Sequence, residues 1–183
     1  MISDTTALIL IDVQDGFDEA NYWGDRNNPD AEQNMARLLW EWRKKHRPIY
    51  HVQHMSTNPR SPLRPDHDGN TIKKEVAPLQ GEPVIQKTVN SAFIGTDLEA
   101  RLRENGVDSV VIVGLTTNHC VETSARMAGN LGFATMVVED ATATFDRVGH
   151  DGTRYPAETI HAMSLSNLNG EFATIVKTGQ LLG

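Results

Sequence analysis

With one cysteine in 183 residues, the chain cannot close an intramolecular disulfide, and it suits a reducing compartment. Positive charge is scarce as well. Seventeen Lys and Arg against 24 Asp and Glu leave a net charge of −7, which argues against a nucleic-acid surface. Long hydrophobic runs are missing, so no segment has the length of a membrane span. The first residues, Met1-Ile2-Ser3-Asp4, lack the basic stretch of a signal peptide. Internal repeats and low-complexity tracts are absent too. What remains is ordinary globular composition, 39% hydrophobic and 22% charged, and enough length for one domain over residues 1–183. The expectation is a soluble cytoplasmic protein without a nucleic-acid or membrane partner.

Short apolar runs alternate with helical patterns. Ala7 to Ile11 reads as a strand buried on both faces, ending at Asp12. Ala31 to Lys45 has helix-face spacing at Met35, Leu38, Leu39 and Trp42. Further strands are expected at 48–53, 83–87, 109–113, 134–139 and 172–176. Thr96 reads as an N-cap with Glu99 at the capping-box position. Helices are also expected from Asn118 to Leu131 and from Tyr155-Pro156 to about Leu168. Continuous Val/Ile runs separated by helices predict an α/β, doubly wound fold with a parallel sheet covered on both faces. Asn58–Gly69 and Asp140–Tyr155 read as long irregular loops, of the kind that form lids or interfaces.

The chemistry sits at the strand ends, where ligands bind in such sheets. Asp12 closes the first strand, Lys87 the third, and Cys120 follows the fourth. A lone cysteine is usually a small buried hydrophobe. Cys120, however, opens a helix, whose unpaired N–H groups and dipole favour the nucleophilic thiolate. An Asp after a strand is usually a turn residue, and a Lys there is usually solvated. A carboxylate, an ammonium and a thiol on one sheet edge form a plausible catalytic set.

Three segments carry a resemblance: Ile11-Asp12-Val13-Gln14-Asp15-Gly16-Phe17, Gln86-Lys87-Thr88-Val89-Asn90-Ser91-Ala92-Phe93, and Val113-Gly114-Leu115-Thr116-Thr117-Asn118-His119-Cys120-Val121. Together they resemble the isochorismatase-like cysteine hydrolase superfamily over nearly the whole chain. That group includes nicotinamidases, carbamoylsarcosine amidohydrolases, ureidoacrylate amidohydrolases and biuret hydrolases. The resemblance implies a six-stranded parallel sheet in the order 3-2-1-4-5-6. It implies Asp12 as general base, Lys87 as the charge beside it, and Cys120 as nucleophile forming a thioester. It also implies a cis peptide at Leu115-Thr116 and an oxyanion hole from the N–H groups of Thr116 and Cys120. Relatives of this kind are commonly homodimers or homotetramers, and the 140–155 segment is the expected interface.

The nicotinamidases carry a metal on an Asp-x-His pair after the second strand. Here that stretch reads His51-Val52-Gln53-His54, so no metal and no other cofactor is expected. Asp66-His67-Asp68 remains a cation candidate, although such clusters are usually just solvated. Phe17, Trp23 and Phe93 are candidate pocket walls. Gln14 and Asn90 are candidate hydrogen-bond partners of a substrate amide, and Arg60 and Arg64 of a substrate carboxylate, while His54 is left open. The leading expectation is a metal-independent amidohydrolase acting on a small C–N bond in an amide, ureide or carbamoyl compound. Two alternatives stand beside it: vinyl-ether hydrolysis of the isochorismatase type, against which Cys120 argues, and a non-catalytic flavodoxin-like binding protein.

Overall fold

The computed structural model describes residues 2–182. Six parallel strands form one sheet. They are β1 (Ala7–Ile11), β2 (Ile49–His54), β3 (Val84–Lys87), β4 (Ser109–Leu115), β5 (Ala134–Ala143) and, after a small hairpin, β8 (Thr174–Val176). Their order is β3-β2-β1-β4-β5-β8, the order the resemblance implied. The hairpin pairs β6 (Arg147–Val148) with β7 (Arg154–Tyr155). Among the described residues, six α-helices accompany the strands: α1 (Ala20–Trp23), α2 (Ala31–Lys44), α3 (Leu98–Glu104), α4 (Glu122–Asn130), α5 (Ala157–Leu168) and α6 (Thr178–Leu181).

Strand pleating explains why the central runs are apolar throughout. Successive side chains point to opposite faces, so a strand covered on both sides needs apolar residues at every position. Ile9, Ile11, Val110 and Ile112 join one core with Leu98, Leu102, Ala125 and Leu168, which come from α3, α4 and α5. Leu8, Leu10, Val111 and Val113 join a second core with Met35, Leu38, Leu39 and Trp42 of α2. Those four α2 residues are at most 1% exposed, each worth roughly 1.5–3 kcal/mol of burial. The Trp42 indole N–H donates to the Thr6 carbonyl at 2.9 Å, so its one polar atom is satisfied.

Two local expectations are corrected. Asp140–Tyr155 is not an irregular loop. β5 runs on to Ala143 because Ala141, Ala143 and Phe145 are buried, and the rest folds as the β6–β7 hairpin. The capping box at Thr96 does not form. The helix starts at Leu98, and Glu99 reaches forward to Arg103 at 3.4 Å instead of back to the N-cap. Thr96 Oγ1 still accepts the Leu98 N–H, at 3.4 Å.

β1 lies between β2 and β4, so the chain winds outward in both directions from it. The carboxyl ends of β1 and β4 therefore part at the switch point, and the crevice between them is the natural ligand site. Gly114 lets these two strands lie close. A Cβ there would stand 2.0 Å from the Ile11 carbonyl oxygen, at a φ of +123° that side chains rarely adopt.

Candidate active site

Asp12 is the first residue past β1. Its positive φ of 51° turns the chain out of the strand, while its N–H still donates to the Val52 carbonyl at 2.9 Å. Its side chain is buried beside that of Lys87, the last residue of β3. The Lys87 ammonium donates to Asp12 Oδ2 at 2.7 Å, to His54 Nδ1 at 3.1 Å, to the Val89 carbonyl at 3.1 Å and to Cys120 Sγ at 3.3 Å. Strand register accounts for one of these contacts, because His54 of β2 lies directly across from Lys87 of β3. Asp12 Oδ1 is buried and takes no hydrogen bond of ordinary geometry, so it is a free acceptor beside the thiol.

Cys120 belongs to a π-helical turn, Thr117–Val121, that precedes α4. The Leu115–Thr116 peptide bond is cis. Among the described residues, the Thr116 N–H has no backbone or side-chain acceptor. Thr117 Oγ1 sits 2.9 Å from His161 Nδ1, and Thr144 Oγ1 donates to Asn118 Oδ1 at 2.5 Å, which ties the turn to α5 and to the end of β5.

The expectation that the helix start favours thiolate over thiol is corrected. Burial raises the Cys120 pKa above its ordinary value, and the Asp12 charge raises it further; Lys87 pulls the other way less strongly. The helix-dipole argument loses because the sulfur is withdrawn from water and α4 itself begins only at Glu122. Burial and the neighbouring Asp12 thus favour the neutral thiol over the thiolate.

A cavity of about 180 Å³ opens over this cluster. Asp12, Thr116 and Cys120 form its reactive part, and Phe17, Tyr22 and Trp23 supply aromatic lining. Trp23 packs on Phe17 and Phe145 at centroid distances of 4.7 and 5.5 Å and donates to the Gly16 carbonyl at 2.8 Å. Asn90 also lines the cavity. Two expected substrate-binding residues, one a hydrogen-bond partner and one a wall, do not. Gln14 is fully buried and spends its amide on the His54 and Asn70 carbonyls and the His54 N–H, clamping the chain after β1 to the chain after β2. Phe93, only partly buried, stacks on Phe133 at 6.2 Å against the edge of the core.

Arg60 and Arg64 lie outside the cavity lining. Arg60 is exposed, and Arg64 bonds the Ser61 carbonyl and Asp66. His67 accepts the Gly69 N–H through Nδ1, and the Asp66-His67-Asp68 triplet does not bring its ligand-type atoms together among the described residues.

The segment after β2 was underestimated. His54, Ser56, Asn58 and Ser61 all line the cavity. Only His54 carried a signal, as the histidine left unassigned; the others depend on a loop path that residue types do not encode. His119 lines the cavity too. Burial holds the pKa of His54 below the ordinary value, as does the charge of Lys87. Arg147 was also missed. Its Nε and Nη2 are buried without an acceptor, and its charge acts on His119.

Asp12, His54 and Cys120 hold ligand-type atoms within 4.8 Å of one another, the one such group among the described residues. The Lys87 ammonium already contacts all three side chains. A metal would have to displace a buried cation, so these residues do not fit one.

The comparisons agree with this architecture. A family model described as "Isochorismatase domain" matches residues 6–180. The isochorismatase family protein YrdC of Bacillus subtilis is 48% identical over 181 residues, covering 99% of this chain and 96% of that protein. The ureidoacrylate amidohydrolase RutB of Rhizobium rhizogenes is 34% identical, covering 75% of this chain and 70% of that protein. A crystal structure of an isochorismatase-family protein from Chromobacterium violaceum superposes with a TM-score of 0.95 at 47% identity, covering 100% of this chain and 94% of the other. A hydrolase architecture with a buried carboxylate, ammonium and thiol at its switch point, together with these matches, makes the chain a member of the isochorismatase family of hydrolases.

Proposed function

We propose that the protein is a metal-independent cysteine hydrolase that cleaves a C–N bond of a small amide, ureide or carbamoyl compound. One observation carries the reading: the Lys87 ammonium touches both the Asp12 carboxylate, at 2.7 Å, and the Cys120 sulfur, at 3.3 Å, beneath the cavity that Asp12 and Cys120 line. In the reaction the Cys120 thiol proton passes to Asp12 as sulfur attacks the substrate carbonyl. A raised thiol pKa makes this coupled transfer the natural route, because no standing thiolate is needed. The N–H groups of Thr116 and Cys120 receive the oxyanion. Asp12 then returns the proton to the leaving nitrogen, the C–N bond breaks, and a thioester remains. Water attacks the thioester with Asp12 again as base, releasing the acid and restoring the thiol.

The amidohydrolase activity named for RutB supports this chemistry. The test is release of ammonia or amine over a panel of amides, ureides and carbamoyl compounds, repeated with Cys120→Ala and Asp12→Asn. Turnover is expected to vanish in the first and to fall about 10²-fold or more in the second. Full activity in Cys120→Ala refutes the proposal and favours vinyl-ether hydrolysis. We also propose a cytoplasmic homodimer or homotetramer in which the 140–155 segment lies at the interface. A dilute-solution mass of one chain, 20.3 kDa, refutes the oligomer. No helix among the described residues is long and apolar enough to cross a membrane.

A further inference from the structure

The turn that carries Cys120 is π-helical, a form that is rare and holds its backbone less tightly than an α-turn. The Thr116 carbonyl takes both the His119 N–H, at 3.1 Å, and the Val121 N–H, at 3.3 Å, so the backbone hold is shared and long. Side chains supply the rest. Asn118 is tied to Thr144 at the end of β5, and Thr117 is tied to His161 of α5.

The second tie has the features of a built support. Thr117 is fully buried and His161 is 7% exposed, so water does not compete for their 2.9 Å bond. Among the described residues, the Thr117 hydroxyl has no other partner. Either tautomer of the imidazole makes the bond, because a hydroxyl both donates and accepts. Behind the ring, Asn28 gives its two amide protons to the Glu139 and Thr142 carbonyls, at 2.8 and 2.7 Å, and stands 3.4 Å from His161 Nε2. The ring is therefore lodged between the turn and an amide fixed to β5. Thr117 in turn adjoins Thr116. Leu115, paired with Ala143 of β5, anchors one side of Thr116, and Thr117 anchors the other. The direction of the Thr116 N–H follows from those two anchors.

We infer that His161 is a positioning residue of the hydrolysis: through the Thr117 hydroxyl it aims the Thr116 N–H at the oxyanion. The inference rests on the proposed reaction for the role of that N–H, while the hold on the turn is independent of it. Without the imidazole, the Thr117 hydroxyl is buried and unpaired, a penalty that turns it toward another acceptor. The turn then moves at its first residue, next to the oxyanion donor.

Alkylation of Cys120 by iodoacetamide reads the turn without any substrate. His161→Phe keeps a ring and deletes the bond. It should raise the alkylation rate about threefold or more, because a loosened turn brings the sulfur to water more often. Thr117→Val deletes the other partner at nearly constant shape and should do the same. The double variant should do no more than either single one, since both act on one bond. His161→Asn, whose amide can stand where Nδ1 stood, should bring the rate back to within about twofold of wild type. Leu168→Ala is the control: it truncates a core residue of the same helix and should lower the urea midpoint without changing the rate. With any substrate that is turned over, His161→Phe should lower kcat about tenfold or more and hold KM within about threefold, because the lost alignment belongs to the transition state.

Unchanged alkylation in His161→Phe and Thr117→Val, effects that multiply in the double variant, no recovery in His161→Asn, an equal change in Leu168→Ala, or a loss confined to KM overturns the inference. Should His161→Phe fail to fold, the rates of Thr117→Val and His161→Asn decide the question. No turnover by the wild type over the substrate panel defeats the proposed hydrolysis instead, and the alkylation rates still decide whether His161 holds the turn.

Discussion

Replacing Gly114 with Ala isolates what holds the two catalytic strands together. The added Cβ would sit 2.0 Å from the Ile11 oxygen and 2.7 Å from the Ile11 nitrogen, both of them backbone atoms. No side chain can rotate away to make room. Restoring ordinary contact at 3.4 Å requires β1 and β4 to part locally by roughly 1.4 Å. Overpacking of this kind costs about 1–3 kcal/mol, and the φ of +123° adds backbone strain of about 1–3 kcal/mol. A total near ~4 kcal/mol is a large part of the ~5–15 kcal/mol that stabilises a typical domain. Ile11 adjoins Asp12, and Gly114 lies two residues before Thr116, so the same displacement separates base from oxyanion hole. Misplacement of about 1 Å costs on the order of 10²-fold in rate. Urea unfolding and turnover measured on one preparation read both effects. Gly106→Ala is the control, since it also replaces a positive-φ glycine but meets nothing within 4 Å. A Gly114→Ala variant no less stable than that control, or one with undiminished turnover, refutes the close-approach argument.

Other outcomes follow from the same geometry. Alkylation of free Cys120 by iodoacetamide should climb about tenfold per pH unit through the neutral range, since only thiolate reacts and burial together with Asp12 raises the thiol pKa. A plateau below the ordinary thiol value of 9.0 contradicts the resting-thiol assignment. Activity should survive EDTA, because Lys87 supplies the cation at the cluster; loss on chelation and recovery with zinc would overturn that role. Far from the site, burial raises the Glu82 pKa, but Arg43, the Leu79 N–H and His51 outweigh it and hold the carboxyl at about 2. Its folded value lies below its unfolded one, so its contribution is complete above about pH 4.5 and is lost as pH falls toward 2. Glu82→Gln should lower stability at pH 7 and flatten acid unfolding across that window; an unchanged acid limb rejects the linkage.

Much of the fold was legible because its signals are local and redundant. β1 and β4 are uniformly apolar, α2 repeats its apolar face through Met35, Leu38, Leu39 and Trp42, and Gly or Asn closes several elements. The hairpin was not legible, since a two-residue strand pair carries no periodicity and its Gly149 and Gly152 also suit a plain turn. At the site, Asp12, Lys87 and Cys120 stood out because each ends or follows a strand and each has a reactive side chain. Gln14 misled because it occupies the right stretch but faces inward, where two carbonyls and an N–H claim it. Ser56, Asn58 and Ser61 gave no warning. They reach the cavity only because the chain after β2 folds back over it, pinned by the Ser56 N–H to the Leu63 carbonyl at 3.0 Å and by the buried Asn70 amide. The charge state of Cys120 was misjudged because sequence position reveals the nearby dipole and conceals the depth of burial.

Lys87 offers three protons to four acceptors: the carboxylate of Asp12, the imidazole of His54, the carbonyl of Val89 and the sulfur of Cys120. At every stage one of them is undersupplied, and the loser is the weakest base present. With sulfur as a thiol, that is sulfur. When the thioester breaks, with the proton on Asp12 and the negative charge on the departing sulfur, the order changes, and a neutral acceptor yields its share. The ammonium can therefore follow the charge from oxygen to sulfur and back by rotating about its last bond, without shifting a backbone atom. A guanidinium, planar and larger, would have to move bodily to do the same.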